Sequence, residues 1–241
     1  MNIFKKAYCR IFQKIAYVAS PFLKWKMPIV LTLDNGIADL PSKINELGIA
    51  KILIVSGSTT KKLGLLDPLI LNLKAQNVLF EWYDHVAPNP TFEMIYEAEQ
   101  LYRDGACEAI VAFGGGSPMD CAKIVGARIA KPKQSIDKMR GLLKIRKTLP
   151  PLFAIPTTAG SGSETTLASV VTNSKTHTKF AISDPVLIPK YVALDPTLTA
   201  GLPPDLTATT GMDALTHAVE AYIGHSNIKL TRRNAEVAVK E

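Results

Sequence analysis

Gly114-Gly115-Gly116-Ser117-Pro118-Met119-Asp120-Cys121-Ala122-Lys123 is the stretch from which the rest of this chain can be read. Before it lies Glu108-Ala109-Ile110-Val111-Ala112-Phe113, a short apolar run of strand character. After it, Ile124-Val125-Gly126-Ala127-Arg128 continues a helical pattern. The stretch therefore reads as strand, glycine turn and helix start. Ser117 is expected at the N-cap, Pro118 at the first helical position, and Asp120 at capping-box spacing. Glycine carries no Cβ, so a phosphate can come close to this backbone. Unpaired N–H groups and the helix dipole then favour an anion. A tight, well-capped turn would explain the same residues without a ligand. The pattern is not the Gly-x-Gly-x-x-Gly dinucleotide fingerprint.

On either side of this stretch, strand and helix patterns alternate. Ile29–Leu33, Lys51–Val55 and Asn77–Tyr83 are strand-like. Gly36–Leu47 carries a helical stripe, Lys61–Ala75 is helical with a break near Asp67-Pro68, and Thr91–Arg103 is a helix. Such alternation predicts an α/β fold: a Rossmann-like, mostly parallel sheet with helices on both faces. Ligands bind such sheets beyond the carboxyl ends of the strands. Lys131–Pro150 is basic and interrupted, and is expected to be a surface connection. Leu152–Ile155 is a strand, with shorter β segments around Ala168–Thr172, Lys179–Ile182 and Tyr191–Leu194. From Asp205 the pattern is helical and rich in Ala and Thr, so an all-helical domain is expected to start near Pro203-Pro204. The expected division is 1–27, 28–204 and 205–241.

The chain has 241 residues, 47% hydrophobic and 20% charged, which suits a globular protein with one large core, or with one domain plus part of another. No apolar run is long enough to span a bilayer. Cys9, Cys107 and Cys121 show no metal-type spacing, which fits a reducing, cytoplasmic setting. Of the net charge of +7, all but one unit lies in residues 1–27, through Lys5, Lys6, Arg10, Lys14, Lys24 and Lys26. The rest is near neutral, so no nucleic-acid-binding face is expected. Phe4, Tyr8, Ile11, Ile15, Val18 and Phe22 can share one side of an N-terminal helix, with the bases opposite. Three readings stay open: contact with an acidic membrane surface, a targeting peptide, or packing on the body or a partner subunit.

Gly-Gly-Gly-Ser-x-x-Asp-x-Ala-Lys resembles the phosphate loop of the iron-containing (group III) alcohol dehydrogenases. Two later blocks extend the resemblance: Pro156-Thr157-Thr158-Ala159-Gly160-Ser161-Gly162-Ser163-Glu164 and Gly211-Met212-Asp213-Ala214-Leu215-Thr216-His217-Ala218-Val219-Glu220. Order and spacing match, and the resemblance covers about residue 28 to the C-terminus. It implies a metal-dependent alcohol dehydrogenase that moves hydride between an alcohol or aldehyde and NAD or NADP. The metal would be iron, or alternatively zinc, and the full-length protein a homo-oligomer.

The resemblance assigns cofactor contacts to Gly57, Ser58, Asn89, Gly114, Gly115, Gly116, Ser117, Asp120, Thr157, Thr158, Ser161 and Lys179. In Val55-Ser56-Gly57-Ser58-Thr59-Thr60-Lys61-Lys62 many NAD-preferring relatives have Asp where this chain has Gly57. Without an acid there, hydroxyls and two lysines can accept a 2′-phosphate, so NADP is admitted. The same residues also suit an ordinary polar turn, and Asn89-Pro90 suits a simple turn before a helix.

Asp213 and His217 stand four apart on an expected helix and so share a face. Carboxylate plus imidazole suits a divalent transition metal, though a helix-surface hydrogen bond uses the same pair. By resemblance both are metal ligands, completed in the family by two histidines on later helices. His225, His85 and His177 do not occupy those places. The sequence therefore reads as a C-terminally truncated family member with half a metal site and no catalytic residue assignable. The rival readings are a related enzyme, such as a glycerol dehydrogenase or a dehydroquinate synthase, and a non-catalytic remnant that only binds nucleotide. The Asp-Ala-Leu-Thr-His block argues against the first.

Overall fold

The computed structural model describes residues 3–19, 26–224 and 228–240. Two compact units emerge, one of residues 26–202 and one combining 1–25 with 203–241.

In the second of these, α1 spans Ile3–Ala19. Its Tyr8, Ile11, Ile15 and Val18 are all well exposed, and no acid interrupts its bases.

The 26–202 unit is built on a six-stranded sheet. Its strands are β1 (Ile29–Leu31), β2 (Lys51–Ser56), β3 (Leu79–Tyr83), β4 (Ala109–Gly114), β6 (Leu152–Pro156) and β9 (Tyr191–Ala193). Their spatial order is β1-β9-β6-β4-β2-β3, and every pairing is parallel. A parallel sheet must be covered on both faces, and alternate residues of each strand enter two separate cores. Leu53, Val55, Ile110, Ala112 and Ala154 face one side, under α5 (Phe92–Asp104) and α6 (Gly116–Ala130). Ile52, Ile54, Val111, Phe113 and Phe153 face the other, under α2 (Leu40–Glu46) and α4 (Asp67–Ala75). Buried Glu99 of α5 accepts from Arg128 of α6 at 2.8 Å and from Arg103 at 2.9 Å, which joins the two helices.

The pattern-derived boundaries need correction in three places. Gly36–Asp39 forms a 3-10 turn, and the α-helix begins only at Leu40. Lys61–Ala75 is broken as expected, but the break falls earlier: α3 (Ser58–Lys62) ends before Gly64, whose φ of +65° suits glycine, and α4 starts at Asp67. Lys131–Pro150 is more than a surface connection. It holds α7 (Ile136–Met139) and β5 (Gly141–Leu142), and Ile136, Met139 and Ile145 are fully buried. Three apolar residues spread among seven bases give no period, which is why the pattern hid them.

β7 (Ala168–Asn173) and β8 (Thr178–Ser183) form an antiparallel pair that β5 extends into a second, three-stranded sheet. A short helix α8 (Thr197–Ala200) closes the unit.

α9 (Pro204–Ile223) and α10 (Lys229–Ala238) pack on each other, with Ala218 and Ala235 buried. The helical reading from Asp205 agrees with these elements. Met212, Leu215, Val219 and Ile223 of α9 all remain exposed.

Candidate functional site

β2 leads outward to β3, whereas β4, on the other side of β2, leads on toward β6. The order in which strands are added across the sheet thus reverses between β2 and β4, and at such a switch point the loops beyond the strands part to leave a crevice. Ser56 pairs with Phe113 and Gly114 with Pro156, so the turns at Gly57, Gly114 and Thr157 meet at one end of the sheet.

Gly114 has φ +139°, and a Cβ there would lie 2.8 Å from Pro118 Cγ. No other residue type fits that turn without strain. α6 starts at Gly116, and its N-cap is Gly115, without any side-chain cap. The expected Ser117 N-cap and Asp120 capping box are therefore not formed. Ser117 instead accepts from the Asn89 N–H at 3.3 Å. Asp120 turns away from the helix end, accepting from Ser163 Oγ and from the Val170 N–H, each at 3.0 Å. The first N–H groups of a helix have no partner within it, and here no N-cap side chain takes one of them up. Pro118, lacking an N–H, loses nothing in this first turn.

The Thr157–Ser163 segment forms the facing wall. The Thr157 N–H donates to the Gly114 carbonyl at 3.1 Å. A Cβ on Gly115 would sit 3.3 Å from Thr158 Oγ1, and one on Gly116 would sit 3.3 Å from Ser161. The Thr158 and Ser161 side chains thus lie close against the glycine backbone, which a larger residue at either glycine would crowd.

Asn89 and Lys179 close a third side, with Lys179 Nζ donating to Asn89 Oδ1 at 2.6 Å. Asn89 holds φ +59°, a conformation costly for most residues and easiest for Asn among non-glycines. The structure therefore gathers Asn89, Gly114, Gly115, Gly116, Ser117, Thr157, Thr158, Ser161 and Lys179 around one crevice. Gly57 and Ser58 border it at the start of α3, and a Cβ on Gly57 would lie 3.1 Å from the Val86 carbonyl. Burial raises the Asp120 carboxyl, with Val170, Lys123 and Ser163 pulling it back.

Sequence reasoning missed Asp84 and Trp82. Lys61 pairs with Asp84 at 2.6 Å and lies over the Trp82 ring at 4.7 Å. Lys61 holds the Asp84 carboxyl below its usual range, against desolvation. Asp84 follows directly on β3, and its pairing with Lys61 becomes visible only with the parallel β2–β3 register.

Asp213 and His217 lie on α9, with Oδ1 and Nε2 3.8 Å apart and both side chains about half exposed. Among the described residues no three His, Cys, Asp or Glu side chains converge as a metal set. His85 stands beside Asp84, His177 lies in a turn of the second sheet, and His225 is outside the described residues. Asp213 and His217 by themselves would give a metal two protein donors, fewer than the three or more that catalytic sites use. Among the described residues the donor set does not fit a complete metal centre.

A sequence model described as "Iron-containing alcohol dehydrogenase" matches residues 28–196. The chain belongs to the iron-containing alcohol dehydrogenase family. Alcohol dehydrogenase 4 of Schizosaccharomyces pombe is 40% identical over 212 residues, which are 88% of this chain and 50% of that protein. The crystal structure of a 1,3-propanediol oxidoreductase superposes with a TM-score of 0.82 at 34% identity, covering 88% of this chain and 56% of that one. A sulfoacetaldehyde reductase from Bifidobacterium kashiwanohense, solved in complex with NAD+, superposes with a TM-score of 0.73 at 29% identity, covering 91% of this chain and 61% of that one. This iron-type chain spans about half the length of the curated relatives it matches.

Proposed function

We propose that the 26–202 unit binds a nicotinamide dinucleotide across the β2–β4 crevice, as the cofactor half of a metal-dependent alcohol dehydrogenase. The uncapped Gly115–Gly116 helix start facing Thr158 and Ser161 carries this reading. The α6 N-terminus holds the pyrophosphate through backbone N–H groups, while Thr157, Thr158 and Ser161 wall it in. Asn89 and Lys179 offer polar contacts to a ribose, and Gly57 and Ser58 meet the adenosine end. With no acid at Gly57, both NAD and NADP are admitted.

The bound nicotinamide supplies the hydride chemistry. Asp213 and His217 are the contribution of this chain to an iron or zinc site that needs further ligands. A small alcohol or aldehyde is the proposed substrate, and a homo-oligomer the working assembly, supported by the uncovered apolar side chains of α9. Buried free Cys107 and Cys121 support a reducing, cytoplasmic setting. No helix among the described residues is long and apolar enough to cross a membrane. The basic, apolar-faced α1 supports peripheral contact with an anionic membrane instead.

A second reading, nucleotide binding without catalysis, is favoured for the 241-residue chain by its two-donor metal set. Cofactor titration together with alcohol-dependent cofactor reduction separates the two. Binding with turnover supports the first, binding without turnover the second, and absence of binding removes both.

A further inference from the structure

Lys123 is fully buried in the third turn of α6, yet it is not a site residue by any criterion above. Its Nζ donates to Ser163 Oγ, the Thr166 carbonyl and Thr166 Oγ1 at 3.0 Å each, and to the Ala168 carbonyl at 2.8 Å. An ammonium has three protons, so four acceptors at these distances saturate it. All four belong to Ser163–Ala168, which runs from the end of the crevice wall to the first residue of β7. Ser163 also donates to Asp120 Oδ1, and its own N–H donates to Ser161 Oγ at 3.3 Å. Ser161 is the side chain facing Gly116. Two hydrogen bonds therefore connect the buried ammonium to the wall of the crevice.

Burying a charge is costly unless it is paired and hydrogen-bonded, and an apolar side chain of similar length would fill this space more cheaply. The network has a geometric result instead: it ties a Gly- and Ser-rich segment, flexible by composition, to the helix whose N-terminus forms the opposite wall. We propose that Lys123 is a positioning residue that holds the 161–168 segment at the spacing the dinucleotide requires. The proposal rests on the cofactor-site reading above.

Burial pushes the Lys123 ammonium down to about 8, against the pull of Asp120 from its own helix and Glu164 from the tethered segment. Lys179 of β8 acts in turn on Asp120. The charged form is complete below that value and is lost as pH rises through it. Dinucleotide affinity should therefore fall above about pH 8, and Asp120→Asn, by withdrawing a stabilising carboxylate, should bring the fall to lower pH.

The test uses the full 241-residue chain with Lys123→Met and Ser163→Ala variants. Ser163→Ala removes one of four acceptors and should leave the fold intact. Two readouts are needed: dinucleotide affinity from about pH 6.5 to about pH 9.5, which brackets the Lys123 value, and amide exchange across residues 157–168. Ser163→Ala should weaken binding roughly three- to tenfold, the worth of about one hydrogen bond, and speed exchange in that segment. A folded Lys123→Met chain should bind still more weakly and lose the pH dependence. Wild-type affinity and exchange in Ser163→Ala overturn the proposal, even if Lys123→Met fails to fold. If the parent chain binds no dinucleotide, the cofactor reading fails, and unchanged exchange in the variants would separately overturn the tether.

Discussion

Lys61 Nζ lies 2.6 Å from Asp84 Oδ2, and the pair joins the last turn of α3 to the residue that follows β3. The turn after β2 thus offers less free positive charge than its sequence implies. Of the two lysines there, Lys61 is committed to a poorly exposed carboxylate, and only Lys62 is left to meet a 2′-phosphate. Lys62→Ala should weaken NADP binding several-fold and leave NAD binding unchanged. Equal titration curves for NADP in parent and variant would show that Lys62 does not face the adenosine end.

Gly57→Asp should turn the preference toward NAD. The new carboxylate can accept from a ribose 2′-hydroxyl and repels a 2′-phosphate. The Val86 carbonyl, 3.1 Å from the added Cβ, must yield slightly, so some loss of stability is expected as well. The ratio of NADP to NAD affinity should drop by about tenfold or more, about 1.4 kcal/mol. An unchanged ratio would separate this turn from cofactor choice.

The sheet was legible because each central strand is an apolar run bounded by turn residues, as in Ile52–Val55 and Ile110–Phe113. The crevice was legible through its glycines, since Gly114 can hold φ +139° and few other residues can. The helix start was misplaced at Ser117 because Ser and Pro are ordinary capping signals. The structure starts the helix at Gly116, with Gly115 as an N-cap that has no side chain to offer. The contacts of Lys123 and Asp84 are illegible in the sequence: one side chain reaches forty residues along the chain to Ser163, and the other depends on strand register. Neither relation has a local sequence signal.

The 241-residue chain should hold metal weakly. Asp213 and His217 are half exposed on one helix, and water would fill most of the coordination sphere. Incubation with Fe2+ or Zn2+ followed by desalting should leave well under one equivalent, and His217→Ala should lower even that. One tightly held equivalent, with sustained oxidation of a primary alcohol, would mean that other donors complete the site.

The α1 helix should bring the chain to anionic vesicles. Tyr8, Ile11, Ile15 and Val18 present an exposed apolar face beside Lys5, Lys6, Arg10 and Lys14. Co-sedimentation should be strong with acidic vesicles, weak with neutral ones, and reduced by high salt. Equal pelleting with and without residues 1–27 would assign this helix to protein packing.

The central claim is that the Gly114–Ser117 turn is a dinucleotide pyrophosphate site. Titration of the purified chain with NAD+ and NADP+, beside a Gly115→Asp variant, tests it most directly. A carboxylate at Gly115 would enter the space before Thr158 and place negative charge at the helix N-terminus. Saturable one-to-one binding by the parent and its loss in a folded Gly115→Asp chain is the predicted result. A variant that binds as tightly as the parent would contradict the account.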